Sequence, residues 1–316
     1  MFNKISSKTL AVIFVVLLVI AAIYIYYDSS REERSFKSDI VNIDTAKVTS
    51  LSIYPKAYNH KEVKIFREGN NWEVKLANNN SAPAENSKIT NLIYQLSKIK
   101  ANGVAAQNES RWSEFKVDTS GTRVKVFEGN DNALDIIIGK FSYQQPRTMV
   151  TYVRVKGDKN VYETNGFLEF SFNQKPDYFR NNTLVNDDFS HWNRLTFTYP
   201  ADSSFQLIKD TTNHWRINKI NVDSSKTAVF LRTLSHLSGS DFIDNPNESL
   251  LNKAACTLTI ESSALGAVTL SAYIDSTDYI IHSSQNPDAY FNGMKNNLKE
   301  KIFVGKNYFL IKKKKK

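Results

Sequence analysis

The chain has 316 residues, a formal net charge of +9 and a single cysteine, Cys256. Five of the nine excess positive charges lie in the terminal run 312–316 and one in residues 1–28, which leaves a net charge of +3 on residues 29–311. Such a distribution lacks the clustered basic charge of a nucleic-acid-binding surface, and one cysteine excludes an intrachain disulfide.

An uncharged apolar run, LAVIFVVLLVIAAIYIYY, extends from Leu10 to Tyr27. These 18 residues would form a helix about 27 Å long at ~1.5 Å per residue, close to the roughly 30 Å of bilayer hydrocarbon. The tyrosines at its end are typical of the headgroup layer. We therefore predict a membrane-spanning helix that includes Leu10, Phe14, Leu18, Ile23 and Tyr27.

The charges around this run predict its orientation. Lys4 and Lys8 precede it without an acidic residue, whereas the charges that follow it nearly cancel. The positive-inside rule therefore predicts a cytoplasmic N-terminus and a C-terminal body across the membrane. The alternative is a cleaved signal peptide, but Ala21-Ala22 followed by Ile-Tyr-Ile-Tyr-Tyr is a poor cleavage site. Residues 1–27 are predicted as the N-terminus and anchor, and residues 28–40 as a charged stalk.

Two later stretches repeat one order of predicted elements. Three alternating strands precede a helix in each: 48–54, 62–66 and 72–76 in the first, and 195–199, 204–208 and 215–219 in the second. Trp72 and Trp215 hold the same place after equivalent polar turns. A shared order and a shared tryptophan indicate an internal repeat.

A helix and further strands follow in both stretches. Helical spacing relates Ile89, Leu92, Ile93, Leu96 and Ile99 in the first, and Phe230, Leu231, Leu234 and Leu237 in the second. Asn86 and either Asp223 or Ser224 are candidate N-caps. The later predicted strands are 123–127, 133–138, 151–155 and 161–162, matched by 257–260, 267–270, 278–282 and 302–303.

The order β-β-β-α-β-β-β-β therefore occurs twice. We predict an α+β fold in which an N-terminal transmembrane helix precedes two similar β-rich lobes, each with antiparallel strands and one main amphipathic helix. The first repeat is 41–172, a polar linker is 173–193, the second repeat is 194–311 and the lysine tail is 312–316. The tail is expected to be solvated, with contact to anionic lipid as the alternative. Cys256 is expected to be a buried structural thiol on a strand.

Motifs of catalysis and metal binding are absent from the sequence. The five histidines are scattered, and neither a zinc nor a phosphate-loop signature occurs. Asp187-Asp188 and the pair Asp275 and Asp278 are expected to cap turns. A triad built by folding has no sequence signature. We predict no catalytic residue, no cofactor and no metal ligand, and hence a protein that is not an enzyme.

One segment is a candidate contact site. Residues 141–147 read Phe-Ser-Tyr-Gln-Gln-Pro-Arg and are predicted as a long loop between strands. Loops on rigid sheets often carry recognition. Tyr143, Gln145 and Arg147 are therefore candidate partner contacts, and an ordinary connection is the alternative.

Several short motifs carry a resemblance to a known family. They are Gly69-Asn-Asn-Trp72, Leu96-Ser-Lys-Ile99, Trp112-Ser-Glu-Phe-Lys-Val117, Asp135-Ile-Ile-Ile-Gly-Lys140, Thr151-Tyr-Val-Arg154, and Val161-Tyr162 before Gly166-Phe-Leu168. Over most of residues 40–311 the chain resembles the bacterial family known as domain of unknown function 4340. In the second half Ser271-Ala-Tyr replaces the Ile-Gly-Lys ending. It is therefore in doubt that the second half makes the contact that the first half makes.

The resemblance implies a location and a partner class. It implies a protein anchored in the bacterial inner membrane, facing the periplasm and associated with ABC-type transporters, including those linked to gliding motility. No catalytic residues are established for that family. We expect a non-enzymatic accessory or scaffold protein that contacts the bilayer and an ABC-type permease. A periplasmic glycan- or lipid-binding module and an envelope hydrolase are the alternatives, and the oligomeric state stays open.

Overall fold

The computed structural model describes residues 13–23, 38–77, 80–144 and 148–311. Residues 13–23 form helix α1, whose large apolar side chains are each 48–64% exposed. No helix within these described ranges is both long and apolar enough to cross a membrane. Phe14, Leu18 and Ile23 of the predicted span lie in α1, whereas Leu10 and Tyr27 lie outside the described residues. The lysine tail and most of the predicted stalk also lie outside them.

The described chain is α+β, with antiparallel sheets and few helices, as the alternating pattern predicts. The remaining helices are α2 (Asn86–Ser97), α3 (Leu168–Phe172), α4 (Ser224–Ser235) and α5 (Leu298–Ile302). The strands are β1 (Val48–Tyr54), β2 (Val63–Glu68), β3 (Asn71–Lys75), β4 (Ser81–Pro83), β5 (Gly103–Ala106), β6 (Thr122–Glu128), β7 (Asp131–Gln144), β8 (Thr148–Val155), β9 (Val161–Asn165), β10 (Thr183–Asn186), β11 (Trp192–Thr198), β12 (Phe205–Lys209), β13 (Trp215–Ile217), β14 (Ile220–Asn221), β15 (His236–Ser238), β16 (Cys256–Ser262), β17 (Gly266–Asp275), β18 (Asp278–Ser283) and β19 (Asn286–Asn292).

Two compact units make up the chain. The first comprises the described residues of Met1–Glu62 and Leu92–Gln174, and the second those of Val63–Asn91 and Lys175–Lys316. In the first unit six strands lie in the order β1-β6-β7-β8-β9-β5, and each neighbouring pair is antiparallel. The boundaries of the two repeats and of the linker, drawn from the sequence, stay a prediction.

Alternation explains why these strands form a sheet. In β6 the side chains of Val124 and Val126 are fully buried, whereas Arg123 and Lys125 point to the opposite face. In β7, Ile136 and Ile138 are buried in the same way. One face of the sheet therefore builds the core of the first unit, and the other face carries polar and charged side chains.

The second unit contains three groups of strands. Strands β2, β3 and β4 pair in sequence, β10 pairs with β15, and eight strands follow the order β14-β13-β12-β11-β16-β17-β18-β19. Helix α4 packs Phe230, Leu231 and Leu234 against this larger sheet. Asp223 caps α4 by accepting the N–H of Lys226 at 3.1 Å, as predicted.

Some predicted elements are wrong in detail. Asn86 does not cap its helix: its Oδ1 accepts the N–H of Trp72 at 3.0 Å, and the first helical hydrogen bond runs from Ile89 to Glu85. Leu237 lies in β15, because α4 ends at Ser235. Ile302 ends helix α5, and β19 is the last strand.

The thiol and the linker also differ from expectation. Cys256 begins β16 on the predicted face but is only half-buried, and it is a free thiol. Burial raises its pKa. Strand β10 falls inside residues 173–193, the segment predicted as a linker, and its Leu184 and Val185 are buried.

Corresponding hydrogen bonds occur at corresponding places of the two halves. The backbone N–H of Glu85, before α2, donates to the carbonyl of Phe179 at 2.9 Å. The backbone N–H of Asp223, before α4, donates to the carbonyl of Phe309 at 2.8 Å. In both halves the first strand of the series pairs with a strand that follows the helix: β1 pairs with β6, and β11 pairs with β16. In the first unit β6, β7, β8 and β9 then form a meander, and β5 lies beside β9. In the second unit β16, β17, β18 and β19 form the corresponding meander.

Candidate functional site

The predicted contact segment lies at the end of the β7–β8 hairpin. Residues 141–144 belong to β7 instead of opening a loop, because they pair with β8. Tyr143 is 57% exposed, as a contact residue should be. Gln145 and Arg147 lie outside the described residues. The contact role of these residues stays a prediction.

Further exposed apolar side chains lie on the same hairpin and on the segment that follows β9. The direct cross-strand partner of Tyr143, Met149, is 52% exposed. The Phe167 ring lies 4.5 Å from that of Phe141 and 5.7 Å from that of Phe170. Phe167 and Phe170 are themselves 46% and 58% exposed. We call these five side chains the hairpin patch.

Hydrogen bonds hold the aromatic part of the hairpin patch in place. Gly166, with a φ of +108°, donates its N–H to the carbonyl of Met149, and glycine adopts this φ without the steric cost of a side chain. The hydroxyl of Thr151 donates to the Gly166 carbonyl at 2.7 Å. Leu168 and Phe172 of α3 are buried, so the same short helix turns Phe170 outward.

A second feature lies on the polar face of the same sheet. Tyr54, Arg123, Ile137 and Arg154 are successive cross-strand partners on β1, β6, β7 and β8. Together with Trp112, Asp118, Thr119, Lys156 and other residues they line a cleft of about 390 Å³. We call it the Arg154 cleft.

Most charges of the Arg154 cleft are paired. Arg123 binds both oxygens of Asp135, with Nε to Oδ1 at 2.8 Å, and Lys156 lies 3.8 Å from the same carboxylate. Burial alone raises the pKa of Asp135, but hydrogen bonding and charge from Arg123 outweigh it, so the pKa is lowered. The Asp118 carboxylate accepts a hydrogen bond from the hydroxyl of Ser120, and this bond lowers the pKa of Asp118 as well.

Arg154 is held by contacts of another kind. Arg154 as a whole is 7% exposed. Its Nε donates to the carbonyl of Val117 at 3.0 Å, and its guanidinium carbon lies 3.7 Å from the centre of the Trp112 ring. The indole N–H of Trp112 donates to the backbone carbonyl of Lys159 at 2.9 Å. Burial lowers the pKa of Arg154. A cation stacked on an indole ring is stabilised by the ring's quadrupole.

Gly139 brings the Trp112 loop close to β7. A Cβ at this position would overlap the carbonyl oxygen of Phe115 and lie 2.6 Å from Cγ1 of Val117. Gly139→Ala is therefore expected to lower the free energy of unfolding by about 1–3 kcal/mol, because the loop must move. Urea unfolding of the full-length protein in neutral detergent measures it. Gly305→Ala is the control, because nothing lies near its Cβ, and wild-type stability of Gly139→Ala would contradict the packing argument.

Asp187, His191 and Ser262 meet in the second unit. His191 Nδ1 lies 2.9 Å from Asp187 Oδ1, and Ser262 Oγ donates to Oδ2 at 2.6 Å. Both groups contact one carboxylate, whereas a catalytic triad requires the imidazole to contact the serine. Of the pair expected to cap turns, Asp188 does so at Ser190, whereas Asp187 instead accepts these side-chain hydrogen bonds. No group of His, Cys, Asp and Glu in the described chain could hold a metal ion.

Trp112 and Arg154 are site residues that the sequence pattern did not predict; they stood only among the motifs that carry the family resemblance. A usable signal was the basic alternation of Arg123 with Lys125 and of Arg154 with Lys156, which places cations on one face of the sheet at β6 and β8, on either side of β7. The exposed Phe167 and Phe170 were missed as well. Their run, Gly166-Phe-Leu-Glu-Phe-Ser-Phe, is typical of a core segment.

Comparison with known proteins adds a family. A family model described as "Domain of unknown function (DUF4340)" matches residues 72–254, which is more than half of the chain. The match includes the hairpin patch and most residues of the Arg154 cleft. No curated protein matches the chain, and no solved structure does.

Proposed function

Because the chain belongs to the DUF4340 family, whose description assigns no function, we propose a function from the surface of the molecule. The protein is a non-enzymatic, membrane-anchored accessory protein that docks onto an inner-membrane protein. The hairpin patch carries this proposal, because four of its side chains, Tyr143, Met149, Phe167 and Phe170, are each about half exposed. Clustered exposed aromatics and methionine are typical of protein interfaces.

The occupant of the hairpin patch is the periplasmic surface of an ABC-type permease subunit. Helix α1 exposes apolar side chains along its whole described length, which suits a membrane anchor and keeps the patch near membrane proteins. The Glu169 carboxylate lies at the edge of the patch, where it accepts the N–H of Phe141 at 3.3 Å. An acidic edge disfavours an anionic lipid surface and leaves a protein as the better partner.

The proposed location follows from the same features. The protein is a single-pass protein of the bacterial inner membrane with a cytoplasmic N-terminus and a periplasmic body. The basic residues Lys4 and Lys8 before the apolar run support this orientation. Anchoring restricts the search for a partner to two dimensions and raises the effective concentration of the docking surface.

We also propose that the two halves arose by duplication of one segment. The repeated pairing of β1 with β6 and of β11 with β16 supports this. The equivalent hydrogen bonds to Phe179 and Phe309 support it as well.

Site-specific photo-crosslinking tests the docking role. A photoreactive phenylalanine analogue replaces Tyr143 in one strain and Tyr94 in another, since both tyrosines are 57% exposed in the first unit. We expect crosslinks from position 143, but not from position 94, to an ABC-type permease subunit identified by mass spectrometry. The double variant Tyr143→Ser/Phe170→Ser should lower co-purification of that subunit about tenfold or more, as expected when interface anchors are truncated.

Matched variants separate the patch from the anchor. Tyr94→Ser/Val229→Ser removes two similarly exposed apolar side chains elsewhere and should leave co-purification unchanged. A variant lacking residues 1–28 should lose membrane attachment and retain a weakened contact. Equal crosslinking from positions 94 and 143, or crosslinks to lipid alone, would rule out the proposed docking surface.

A further inference from the structure

Arg154 is a buried cation without an anionic partner. Its Nε is satisfied by Val117, but within the described part of the chain its two terminal nitrogens have no hydrogen-bond acceptor and no carboxylate within 4.0 Å. Four carboxylates, those of Glu109, Asp118, Asp135 and Asp158, act on it only from longer range. Buried charges in proteins are ordinarily paired, since desolvation of an unpaired one is costly.

A second buried arginine shows what Arg154 lacks. Arg180, in the second unit, is 4% exposed, and its guanidinium carbon lies 3.7 Å from the centre of the Phe242 ring. It therefore has the same burial and the same stacking distance as Arg154. Arg180, however, binds Asp244 at 2.7 Å and Asp177 at 3.1 Å. At Arg154 the side chain borders an open cleft where Arg180 has its two carboxylates.

The lining of the Arg154 cleft defines the missing group. Arg123, Arg154, Lys156 and Asp118 line the cleft, and Asp135 pairs with Arg123 and Lys156 beside it. These five groups leave an excess of positive charge, which suits an anion. The free nitrogens of Arg154, the Lys156 ammonium and the Thr119 hydroxyl are donors in several directions, whereas the two oxygens of a carboxylate bound to the guanidinium lie in one plane with it. A tetrahedral phosphate accepts from all of them.

The walls of the cleft add an apolar side. Trp112, Tyr54 and Ile137 line it beside the cations. A volume of about 390 Å³ accommodates more than a bare phosphate and falls in the range of small-molecule sites. The ligand is thus an organic molecule or a lipid headgroup that carries the phosphate.

We propose that the Arg154 cleft binds a phosphate group attached to an organic molecule. Arg154 binds two phosphate oxygens with its terminal nitrogens, and Lys156 supplies the second charge. The hairpin patch plays no part in this site, so the proposal stands apart from the docking function.

Calorimetric titration of the full-length protein in neutral detergent tests this. The probes are inorganic phosphate, glycerol 3-phosphate, short-chain phosphatidylglycerol and sodium acetate. We expect binding of at least one organic phosphate and at least tenfold weaker binding of acetate. Tighter binding of phosphatidylglycerol identifies a lipid source, and tighter binding of glycerol phosphate a soluble one.

Variants decide whether the cleft is responsible. Arg154→Gln should weaken organic phosphate binding about tenfold or more, since a hydrogen bond to a charged group is worth about 1.5–3 kcal/mol. Lys156→Gln, whose side chain is 60% exposed, should fold normally and weaken binding severalfold, even if Arg154→Gln unfolds. Arg232→Gln removes an exposed charge elsewhere and should change nothing. Absence of phosphate binding, equal binding of acetate, or unchanged affinity in both cleft variants would overturn the proposal.

Discussion

Replacing Asp187 with alanine is expected to lower the free energy of unfolding by about 3–5 kcal/mol at neutral pH. The Asp187 side chain is 5% exposed, and it accepts hydrogen bonds from the indole of Trp192 at 2.8 Å and the hydroxyl of Ser262 at 2.6 Å. Alanine would leave both buried donors without an acceptor, at about 1–3 kcal/mol each. Urea unfolding of the full-length protein in neutral detergent, followed by tryptophan fluorescence, measures the loss.

Asp188 provides the matched control. This neighbouring aspartate is exposed, and its carboxylate caps a turn at Ser190. Asp188→Ala therefore removes one surface cap and should destabilise the protein much less than Asp187→Ala. Similar losses in both variants would show that the buried hydrogen-bond network contributes little.

The same carboxyl makes stability depend on pH. Burial alone raises the pKa of Asp187, but hydrogen bonds from His191, Ser262 and Trp192 outweigh it and hold the pKa below its usual value. A depressed pKa stabilises the folded state fully above the unfolded value of about 3.9, and this contribution is lost as pH falls through the folded pKa. The stability difference between wild type and Asp187→Ala should therefore shrink below about pH 4. A difference that stays constant under acid would contradict this assignment.

Alternation in the sequence was enough to predict most strands. Leu258 and Ile260 of β16 are buried at every second position, and the intervening Thr259 is not. This pattern arises because one face of the sheet is covered, so local sequence records it directly. The α+β class and the place of α2 and α4 were predictable for the same reason.

Pairing and exposure were not predictable from the local pattern. Ile302-Phe303 resembles the start of a strand, but the chain reverses at Asn296 and Asn297, both with positive φ, and then forms α5. Likewise, Leu237 fits the helical spacing of α4 but pairs with Val185 on β10. A local reversal of the backbone decides the first outcome and a partner distant in sequence decides the second, and hydrophobic spacing reports neither.

The two sites show the same limit. Tyr143 is a candidate because an aromatic residue stands among polar ones. The fold shows that it is exposed, and its contact role stays a prediction. Arg154 was not recognisable as a site residue, because a basic residue on a strand is ordinarily solvated. Its burial depends on Trp112 and Val117, which are distant in sequence. Charge alternation predicts a cationic face, and only the fold shows which cation lacks a partner.

Phe309→Ala is expected to lower the free energy of unfolding of the second unit by about 3–5 kcal/mol, the range for a large-to-small change at a buried aromatic. Phe309 is fully buried, and its ring lies 5.1 Å from that of Phe230 and 6.0 Å from those of Phe197 and Phe205. The side chain follows the last short helix and fills the space between α4 and the sheet. Hydrogen exchange of α4 amides in the full-length protein measures the loss locally.

Tyr308→Ala is the control for this change. Tyr308 is adjacent in sequence and its ring contacts those of Phe230 and Phe309, but it is 37% exposed, so its removal creates no closed cavity. We expect less than half the loss seen for Phe309→Ala, because only a cavity that cannot collapse or fill with water carries the full cost. Equal losses would mean that the aromatic cluster relaxes around Phe309.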